Sequence, residues 1–486
     1  MLPLDQFKSL LTGPDVLKTI RGGLIGEDAM FDGPFGARKM LYADYVASGR
    51  ALIQVEDFIR HEVLPYYANS HTQASFCGAY TTKLREAARA EVARITGADK
   101  DASVVFSGAG STAGINRIVA LLDLAALTAR GGRAVVIIGP YEHHSNILPW
   151  RESGATVIQI PEGQAGGPDL QALGNALRDA QDADMIVGAF SAVSNVTGIK
   201  TDVDEVTRQL KRHGAFAIWD YGCAAPYTAM NMRTGTDCAK DAIVFSPHKF
   251  PGGPGASGVL IIRDVIARRT SPTQPGGGTV SFVSPWSHDY ATDLSSREEG
   301  GTPNVIGDIR VALCMLVKEA LGQTFLDQRH ADLRTRAHAV WDRNPQIELL
   351  GKSTANPLPI FSFRVRNHGG GYVHHQFFTR LLSDVYGVQA RGGCACAGPY
   401  AHELLDLTQT RSEEIRAAIE RGDEMEKPGW VRLNLSALLT DAKADRIIQA
   451  VDKLALDAPS YHDRYSADTK TARFTAQSST EGHPAI

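Results

Sequence analysis

Short apolar runs alternate with helical patterns between residues 100 and 265, and no other feature constrains the fold as much. Strands separated by helices pair in parallel, and the helices cover both faces of the sheet. The candidate strands are 104–106, 134–138, 156–160, 185–190, 216–219, 243–245 and 259–262. The sequence therefore predicts an α/β fold whose large domain contains a mostly parallel, seven-stranded sheet. Ligands of such sheets bind beyond the carboxyl ends of the strands, so binding and catalytic residues are expected in the loops there.

The chain of 486 residues is too long for a single core, and two or three domains are expected. A Gly-, Pro- and Ser-rich excursion at 267–305 precedes a second α/β unit, with candidate strands at 360–365 and 431–435. Residues after about 465 are polar and poor in bulky apolar groups, which is typical of a mobile tail. The predicted organisation is an N-terminal arm that packs on the small domain (1–40), a large domain (41–310), a small C-terminal domain (311–465) and the tail (466–486).

Charge and cysteine content narrow the class of function. The net charge of −4, without a cluster of basic and aromatic residues, argues against nucleic acid or a membrane as partner. The first twenty residues lack the apolar core of a signal peptide, so a cytoplasmic location is expected. Six cysteines are too few for a disulfide scaffold. Cys394 and Cys396 could form half of a metal site, but no second cluster has suitable spacing, and no metal is expected.

A lysine lies between two candidate strands in Ser-Pro-His-Lys-Phe-Pro-Gly-Gly-Pro-Gly, residues 246–255. An exposed lysine in a Gly/Pro-rich turn is common, so a surface turn is the simplest alternative for Lys249. Burial between strands would favour the uncharged, nucleophilic amine instead, which is the form that condenses with a carbonyl group. Lys249 is therefore a candidate to form an imine with pyridoxal phosphate (PLP).

Such a cofactor withdraws electrons only while its pyridine nitrogen is protonated, which requires a carboxylate beside it. Asp220 directly follows the apolar run 215–219 and is the candidate for this carboxylate. A helix N-cap is the alternative role for an aspartate in this position. The occurrence of a lysine one strand further along the chain favours the functional role.

Two further strand ends carry polar clusters. Phe-Ser-Gly-Ala-Gly-Ser-Thr-Ala-Gly-Ile-Asn, residues 106–116, reads as a strand end, a small-residue turn and a helix, whose N-terminus can bind an anion. Ser111 and Thr112 would there hold the cofactor phosphate. Tyr-Glu-His-His-Ser-Asn-Ile-Leu-Pro-Trp, residues 141–150, contains two adjacent histidines, one of which we expect to face the cleft. An imidazole there could lie on the cofactor ring and relay protons, although a structural histidine is an equal alternative.

The ordered blocks resemble the class V aminotransferase family of PLP fold type I, and most of all its cysteine desulfurase and selenocysteine lyase branch. The resemblance runs from about residue 42 to about residue 451. The blocks that carry it are Gly-Ser-Thr-x-Gly-Ile-Asn, Glu-His-His-Ser-Asn-x-x-Pro-Trp, Ser-Asn-Val-x-Gly, Trp-Asp-Tyr-Gly, Ser-x-His-Lys, Gly-Gly-Gly and Gly-Thr-Pro-Asn.

The resemblance implies a role for each matching residue. Lys249 would be the Schiff-base lysine, Asp220 the partner of the pyridine nitrogen and His143 the ring-stacking imidazole. The implied phosphate ligands are Ser111, Thr112, Ser246, His248 and, from the other subunit, Thr302. The last of these implies a homodimer with composite active sites.

The resemblance also implies residues for the substrate. Asn195 would lie near the cofactor ring and the substrate, and Arg432, with Arg391, would bind the amino-acid carboxylate, a task that suits a guanidinium. Arg-Gly-Gly-Cys-Ala-Cys-Ala-Gly-Pro resembles the segment whose cysteine takes sulfur from the substrate, and in that register Cys396 is the nucleophile. It would attack the γ-sulfur of cysteine, or the selenium of selenocysteine, to leave a persulfide and alanine. A pair of packing cysteines is the alternative. Alternate residues of an extended segment lie apart, so only one of the two thiols is expected to react.

One residue departs from the family pattern. The family usually has a glutamine three residues after the pyridine-binding aspartate, and this chain has Cys223, a weak donor. PLP binding remains expected, while the reaction could instead be transamination, epimerisation or another carbon–sulfur lysis. A catalytically silent PLP-fold partner protein is a further alternative, against which the trio of Lys249, Asp220 and His143 argues. A sulfur-acceptor protein is a possible partner of the desulfurase.

Overall fold

The computed structural model describes residues 3–70, 72–352, 355 and 357–477. Its α-helices are α1 (Pro3–Leu10), α2 (Val16–Gly22), α3 (Ile53–Phe58), α4 (Phe76–Thr96), α5 (Gly110–Leu121), α6 (Leu124–Ala129), α7 (Leu148–Glu152), α8 (Leu170–Asp179), α9 (Val203–Arg212), α10 (Leu294–Glu298), α11 (Val305–Leu321), α12 (Gln323–Trp341), α13 (His375–Tyr386), α14 (Gly398–Leu404), α15 (Gln409–Glu420) and α16 (Asp441–Asp457). Its strands are β1 (Met30–Gly33), β2 (Gly36–Lys39), β3 (Leu41–Tyr42), β4 (Ala102–Gly108), β5 (Ala134–Ile138), β6 (Thr156–Gln159), β7 (Met185–Ser191), β8 (Phe216–Asp220), β9 (Ala242–Phe245), β10 (Gly258–Arg263), β11 (Val280–Val283), β12 (His288–Tyr290), β13 (Ile347–Leu349), β14 (Ile360–Val365), β15 (Val388–Gln389), β16 (Arg391–Gly393), β17 (Trp430–Asn434), β18 (Tyr465–Asp468) and β19 (Arg473–Ala476).

These elements form two compact units. The described parts of 3–25, 47–194 and 199–327 make up unit 1, and those of 26–46, 195–198 and 328–477 make up unit 2. The N-terminal arm is therefore divided, whereas the sequence analysis placed all of 1–40 on the small domain. Residues 3–25 belong to unit 1 because Phe7 is buried there, edge-on to Phe58 with ring centroids 5.5 Å apart. The predicted boundary at 310 also falls inside α11, a helix buried on nearly all sides in unit 1.

Unit 1 contains the predicted sheet, and the expectation of a mostly parallel, seven-stranded sheet is confirmed. The strand order is β4-β10-β9-β8-β7-β5-β6, with β5 to β9 parallel and β10 antiparallel to both of its neighbours. Strands β5, β7 and β9 are buried along their whole length, as expected when helices cover both faces. The strand ends that carry Ser191, Asp220 and Phe245 lie side by side, because β7, β8 and β9 are successive neighbours.

Helix α5 packs closely on this sheet. Its Ile115, Ile118 and Leu121 are fully buried in the unit 1 core, and Gly114 allows the approach, since a Cβ there would lie 2.7 Å from Val244 Cγ1. By length and composition alone, one stretch among the described residues, Gly110–Ala129, could cross a membrane.

Unit 2 is built on a four-stranded antiparallel sheet of order β13-β14-β17-β16. Helices α13 and α16 share its apolar core, in which Phe363 of β14, Leu381 of α13, Leu433 of β17 and Ile447 of α16 are fully buried. The strands predicted at 360–365 and 431–435 correspond to β14 and β17.

The segment predicted to be a mobile tail contains a β-hairpin instead. Strands β18 and β19 pair in antiparallel fashion between Tyr465 and Ala476. The Tyr465 hydroxyl donates to Asp384 Oδ2 at 2.7 Å, and the Phe474 ring lies 5.0 Å from that of Phe377. Two aromatic side chains thus attach a segment whose average composition is polar. Residues 478–486 of the predicted tail lie outside the described residues.

Candidate functional site

The turn between β4 and α5 in unit 1 forms a cluster of N–H and hydroxyl groups. Gly108 and Gly110 have φ values of 74° and 62°, in the left-handed region that favours glycine. A Cβ on Gly110 would lie 2.7 Å from Ser246 Oγ, so the turn and the loop after β9 can approach only without a side chain here. The Ser111 N–H donates to Ser246 Oγ at 2.9 Å, and the two hydroxyl oxygens lie 3.2 Å apart. The N-terminus of α5 therefore presents donors in a pattern suited to an anion.

A second group of polar side chains adjoins this turn. Thr112 Oγ1 lies 2.7 Å from Ser145 Oγ, which lies 3.0 Å from His143 Nδ1. The backbone N–H of Ser145 also donates to Nδ1, so this nitrogen is an acceptor, and a neutral ring then carries its proton on Nε2. Thr112, a predicted phosphate ligand, and His143, the predicted ring-stacking residue, are thus connected through Ser145. Sequence reasoning did not single out Ser145.

Asp220 is the last residue of β8, and Lys249 lies in the short turn after β9, close enough for its charge to act on Asp220. The Asp220 side chain is only 6% exposed, and its Oδ1 accepts a hydrogen bond from the Gly222 N–H at 2.6 Å. Burial raises the pKa of Asp220, while the Gly222 N–H, the positive charge of Lys249 and the Ser111 hydroxyl oppose the increase. A buried carboxylate of this kind is stabilised by any cation placed beside it.

The remaining predicted residues of unit 1 differ in burial. His248 is half-buried, and burial and the neighbouring Lys249 charge lower its pKa. Cys223 is buried, with its Sγ 3.9 Å from the carbonyl oxygen of Ser194. Thr302 is exposed, in the loop between α10 and α11.

A buried carboxyl group in the same region was missed by sequence reasoning. Glu142 precedes His143 and is 3% exposed, and its oxygens accept hydrogen bonds from Ser191 and Asn146. Burial and then the charge of Asp220 raise the pKa of Glu142 to about 7. Its position in the loop after the buried strand β5, next to the two histidines, was a usable signal.

Unit 2 holds a cluster of two arginines and an aspartate. Arg391 and Arg432 lie directly opposite each other on β16 and β17. Asp44 bridges them, with Oδ2 3.1 Å from Arg391 Nε and Oδ1 3.1 Å from Arg432 Nη2. Like charges in this arrangement repel, and the shared carboxylate offsets the repulsion. Asp44, which follows the two-residue strand β3, was also missed by sequence reasoning.

Asn195 connects Arg432 to the cysteine segment. Its carbonyl oxygen accepts a hydrogen bond from Arg432 Nη1 at 3.1 Å, and its Nδ2 donates to the Ala395 carbonyl oxygen at 2.8 Å. Within the described residues, two buried polar atoms here have no hydrogen-bond partner: Arg432 Nε and Asn195 Oδ1. A donor and an acceptor therefore remain available beside the arginine pair.

The cysteine segment turns rather than continuing β16. Ala395 and Cys396 both have φ of 55°, and the Ala397 N–H donates to the Cys394 carbonyl oxygen at 3.1 Å. The expectation that Cys394 and Cys396 lie in an extended segment is therefore wrong. Cys396 is exposed and Cys394 is half-buried.

Each predicted site residue thus falls into one of two groups. Unit 1 contains the residues assigned to the cofactor, apart from Asn195, and brings together the β4–α5 turn, the His143 segment and the ends of β8 and β9. Unit 2 contains Asn195, Arg391, Arg432 and both cysteines, connected through Asp44 and the Ala395 carbonyl.

Comparison with known proteins gives this arrangement a family. The model of the aminotransferase class-V family matches residues 41–426, and the chain belongs to that family. It is a PLP-dependent enzyme by this membership.

Among individual proteins, the chain is 27% identical to a probable cysteine desulfurase of Halalkalibacterium halodurans over 379 residues, which cover 76% of this chain and 87% of the relative. It is 29% identical to a cysteine desulfurase of Enterobacter sp. over 368 residues, covering 74% and 85% of the two chains. The solved apo structure of a cysteine desulfurase from Thermococcus onnurineus aligns with a TM-score of 0.73 at 21% identity, over 90% of this chain and 98% of that one. This last likeness concerns the fold.

Proposed function

We propose that this chain is a PLP-dependent cysteine desulfurase-like enzyme, which removes sulfur from cysteine, or selenium from selenocysteine, to give alanine. The observation that carries the proposal is the exposed Cys396 thiol on a turn that Asn195 fastens beside the buried Arg432. A nucleophile and a carboxylate-binding group within one unit are what a reaction at the γ-sulfur of an amino acid requires.

The residues of unit 1 fit PLP. The cofactor supplies an electron sink that stabilises negative charge on the bound amino acid. A protonated pyridine nitrogen would stabilise Asp220, whose burial otherwise disfavours its charge. The donors at the N-terminus of α5 suit the phosphate, and Lys249 lies close enough for its charge to act on Asp220.

We assign the remaining cofactor roles on the same basis. His143 would stack on the ring, because its Nδ1 is engaged by Ser145 and its ring is only half-buried. Cys223 would approach the ring oxygen, and Asn195 would contact both the ring and the substrate. The proposed phosphate ligands are Ser111, Thr112, Ser246, His248 and the partner subunit's Thr302. The Ser111 N–H donates to Ser246 Oγ, and the Ser111 hydroxyl interacts with Ser246 and Asp220, so Ser111 would exchange one of these hydrogen bonds for the phosphate.

At the substrate end, Arg432 would bind the α-carboxylate. Its Nε is buried without a hydrogen-bond partner among the described residues, which leaves one donor for a ligand. Arg391 would support it from a more exposed position, held by the same Asp44.

The sulfur transfer would take place at Cys396. Its thiolate would attack the substrate sulfur, so that an S–S bond forms while the bond from Cβ to sulfur breaks. The electron pair of that bond stays with Cβ, which takes up a proton and becomes the methyl group of alanine. The product on the enzyme is a persulfide, and a thiol of an acceptor protein or a small reductant would remove the sulfur.

Cys223 favours a second candidate function. A buried thiol in place of the usual glutamine alters the donor beside the ring, and a class V transaminase, epimerase or other carbon–sulfur lyase is the alternative. We further propose a homodimer, because Thr302 is exposed in the single chain and would serve the partner's site. A cytoplasmic location also stays a prediction.

A panel of amino acids separates these functions. The purified, PLP-loaded chain is incubated with cysteine, selenocysteine and other amino acids while alanine, sulfide or selenide, and keto acids are measured. Alanine from cysteine or selenocysteine, with no keto acid, is expected. Pyruvate with sulfide would indicate a lyase, and a keto acid with transfer of the amino group would indicate a transaminase. If no amino acid gave a product, the remaining alternative would be a catalytically silent PLP-fold partner protein.

A further inference from the structure

A buried carboxyl network lies one strand away from Asp220 and plays no part in the proposed chemistry. It consists of Glu142, Ser191 and Asn146, with Trp150 behind Asn146. We propose that Glu142 is a positioning residue whose charge is coupled to that of Asp220, so that its protonation sets how strongly unit 1 holds a cation beside Asp220. The inference rests on the proposed function only for the identity of that cation, the protonated ring of PLP.

Two of the groups that hydrogen-bond to Glu142 can act only as donors, and the partner of one of them fixes its orientation. Trp150 Nε1 can only donate, and it does so to Asn146 Oδ1 at 2.9 Å, so the amide of Asn146 must turn its Nδ2 towards Glu142. The Ser191 N–H donates to Glu142 Oε1 at 2.8 Å. Two obligatory donors therefore hold the carboxyl, and the backbone of the adjacent His143, at the end of β7.

The third partner can reverse. Ser191 Oγ lies 2.7 Å from Glu142 Oε2 and donates to it when the carboxyl is ionised. A hydroxyl also accepts, so a protonated Oε2 can donate to the same oxygen without any change in heavy-atom positions. The network thus accommodates both protonation states, unlike a site that can hold only a carboxylate.

The coupling to Asp220 follows from the sheet. Ser191 lies directly opposite Asp220 in the parallel pair β7/β8, and both carboxyl groups are almost fully buried. The Asp220 charge contributes to the raised pKa of Glu142. Coupling is reciprocal: an ionised Glu142 makes a bare Asp220 charge less favourable and a cation beside it more favourable.

Few titratable groups surround Glu142 among the described residues. Asp220 on β8 is the charged side chain that acts on Glu142, Lys249 after β9 acts on Asp220, and His143 and His144 belong to the segment of Glu142 itself. Burial and then Arg151 lower the pKa of His144. The test must distinguish ionisation of Glu142 from ionisation of His143 and His144. Both histidines are present in the wild type and in Glu142→Gln, so the ratio of the two PLP dissociation constants isolates the contribution of Glu142.

The first arm of the test uses the cofactor-free chain. The free energy of unfolding is measured from pH 4 to 9 for the wild type, Glu142→Gln and Asp220→Asn. The fall in stability that accompanies Glu142 ionisation is expected at lower pH in Asp220→Asn than in the wild type, and to be missing from Glu142→Gln. An unchanged midpoint in Asp220→Asn would overturn the coupling.

The second arm measures PLP affinity from pH 5.5 to 8.5. The ratio of dissociation constants, Glu142→Gln over wild type, is expected to rise with pH by about fivefold or more. Glu298→Gln is the control, because Glu298 is a fully buried glutamate of the same unit that likewise accepts from a backbone N–H and a hydroxyl, those of Thr273; it differs in being paired with Arg117, so folding of this variant is checked by thermal unfolding. Its ratio should not vary with pH.

The outcomes are distinguishable. A Glu142→Gln ratio above one but constant across the pH range would reduce Glu142 to a structural support and overturn the proposal. A wild type that binds no PLP at any pH would defeat the proposed function, while the first arm would still decide the coupling. If Glu142→Gln does not fold, the comparison of Asp220→Asn with the wild type decides alone.

Discussion

The two units present their reactive groups in contrasting ways. In unit 1, Asp220 ends a buried parallel strand, Lys249 lies in the turn after the neighbouring strand, and Gly110 allows Ser111 and Ser246 to approach. In unit 2, Cys396 lies on an exposed turn with two successive residues at positive φ, fastened by the Asn195 amide. Left-handed residues with a Cβ are costly and persist only where their surroundings hold them. Unit 1 thus fixes its groups by packing, whereas unit 2 fixes its thiol by a few hydrogen bonds.

The comparison is tested most severely at Lys249. Lys249→Ala should lose turnover completely and lose the visible absorbance of bound PLP, because it removes the amine whose charge acts on Asp220. Absorbance, activity and thermal unfolding are measured together. Lys200→Ala, which removes an exposed lysine of the same unit, should change none of them. A yellow, active Lys249→Ala variant would remove the cofactor assignment.

The next largest effect is expected at Arg432. Losing a charge-assisted carboxylate contact costs roughly 1.5–3 kcal/mol, so Arg432→Ala should lower kcat/KM about 10- to 200-fold. Because Asp44 then keeps only Arg391, thermal unfolding must be followed too.

Arg432→Lys keeps the charge but not the planar fork and should also be impaired. Arg391→Ala, at the exposed end of the same cluster, should have a smaller effect. Unchanged kinetics in Arg432→Ala, with unchanged affinity for carboxylate inhibitors, would exclude a substrate role for this arginine.

Thr302 tests whether unit 1 is complete within one chain. Thr302→Ala should weaken PLP retention by removing one phosphate ligand, an effect of about 1 kcal/mol or roughly fivefold in affinity. Mixing it with Lys249→Ala should restore one partly active site in each heterodimer, as measured by activity after subunit exchange. A fully active monomer by light scattering would contradict the composite site.

The last expected effect concerns folding rather than activity, and it is a pH dependence of stability in unit 1. Burial and the Asp220 charge raise the pKa of Glu142 from 4.5 to about 7, so the folded chain binds this proton more tightly than the unfolded chain. The stabilisation is complete below about pH 4.5 and is lost as the pH rises towards 7, an order of 3 kcal/mol. Glu142→Gln should lack this component in denaturant titrations. A wild type whose profile matches that of the variant would contradict it.

The same contrast explains what could be predicted from sequence. Asp220 was found because it directly follows a buried apolar run, and Lys249 because it lies in the short loop between two such runs; the ends of neighbouring parallel strands meet at one edge. The seven strands were found for the same reason, since buried parallel strands are continuous apolar runs.

Features that depend on single contacts were not found. The β18–β19 hairpin depends on Tyr465 and Phe474, which the polar average of its segment hides. Asp44 bridges Arg391 and Arg432, which lie 347 and 388 positions further along the chain, and no local sequence pattern predicts contacts at such separations. The turn at Ala395 and Cys396 contradicts local propensity, because neither residue favours positive φ.

The central claim is that Cys396 accepts sulfur from a cysteine bound through PLP. A single turnover of the PLP-loaded wild type with cysteine, without added thiol, should give one alanine per site and add the mass of one sulfur atom to the peptide that contains Cys396. Cys396→Ser should bind PLP normally and form neither product, whereas Cys394→Ser should retain alanine formation. Normal alanine formation by Cys396→Ser, or a wild type that releases no alanine from cysteine or selenocysteine, would contradict the account.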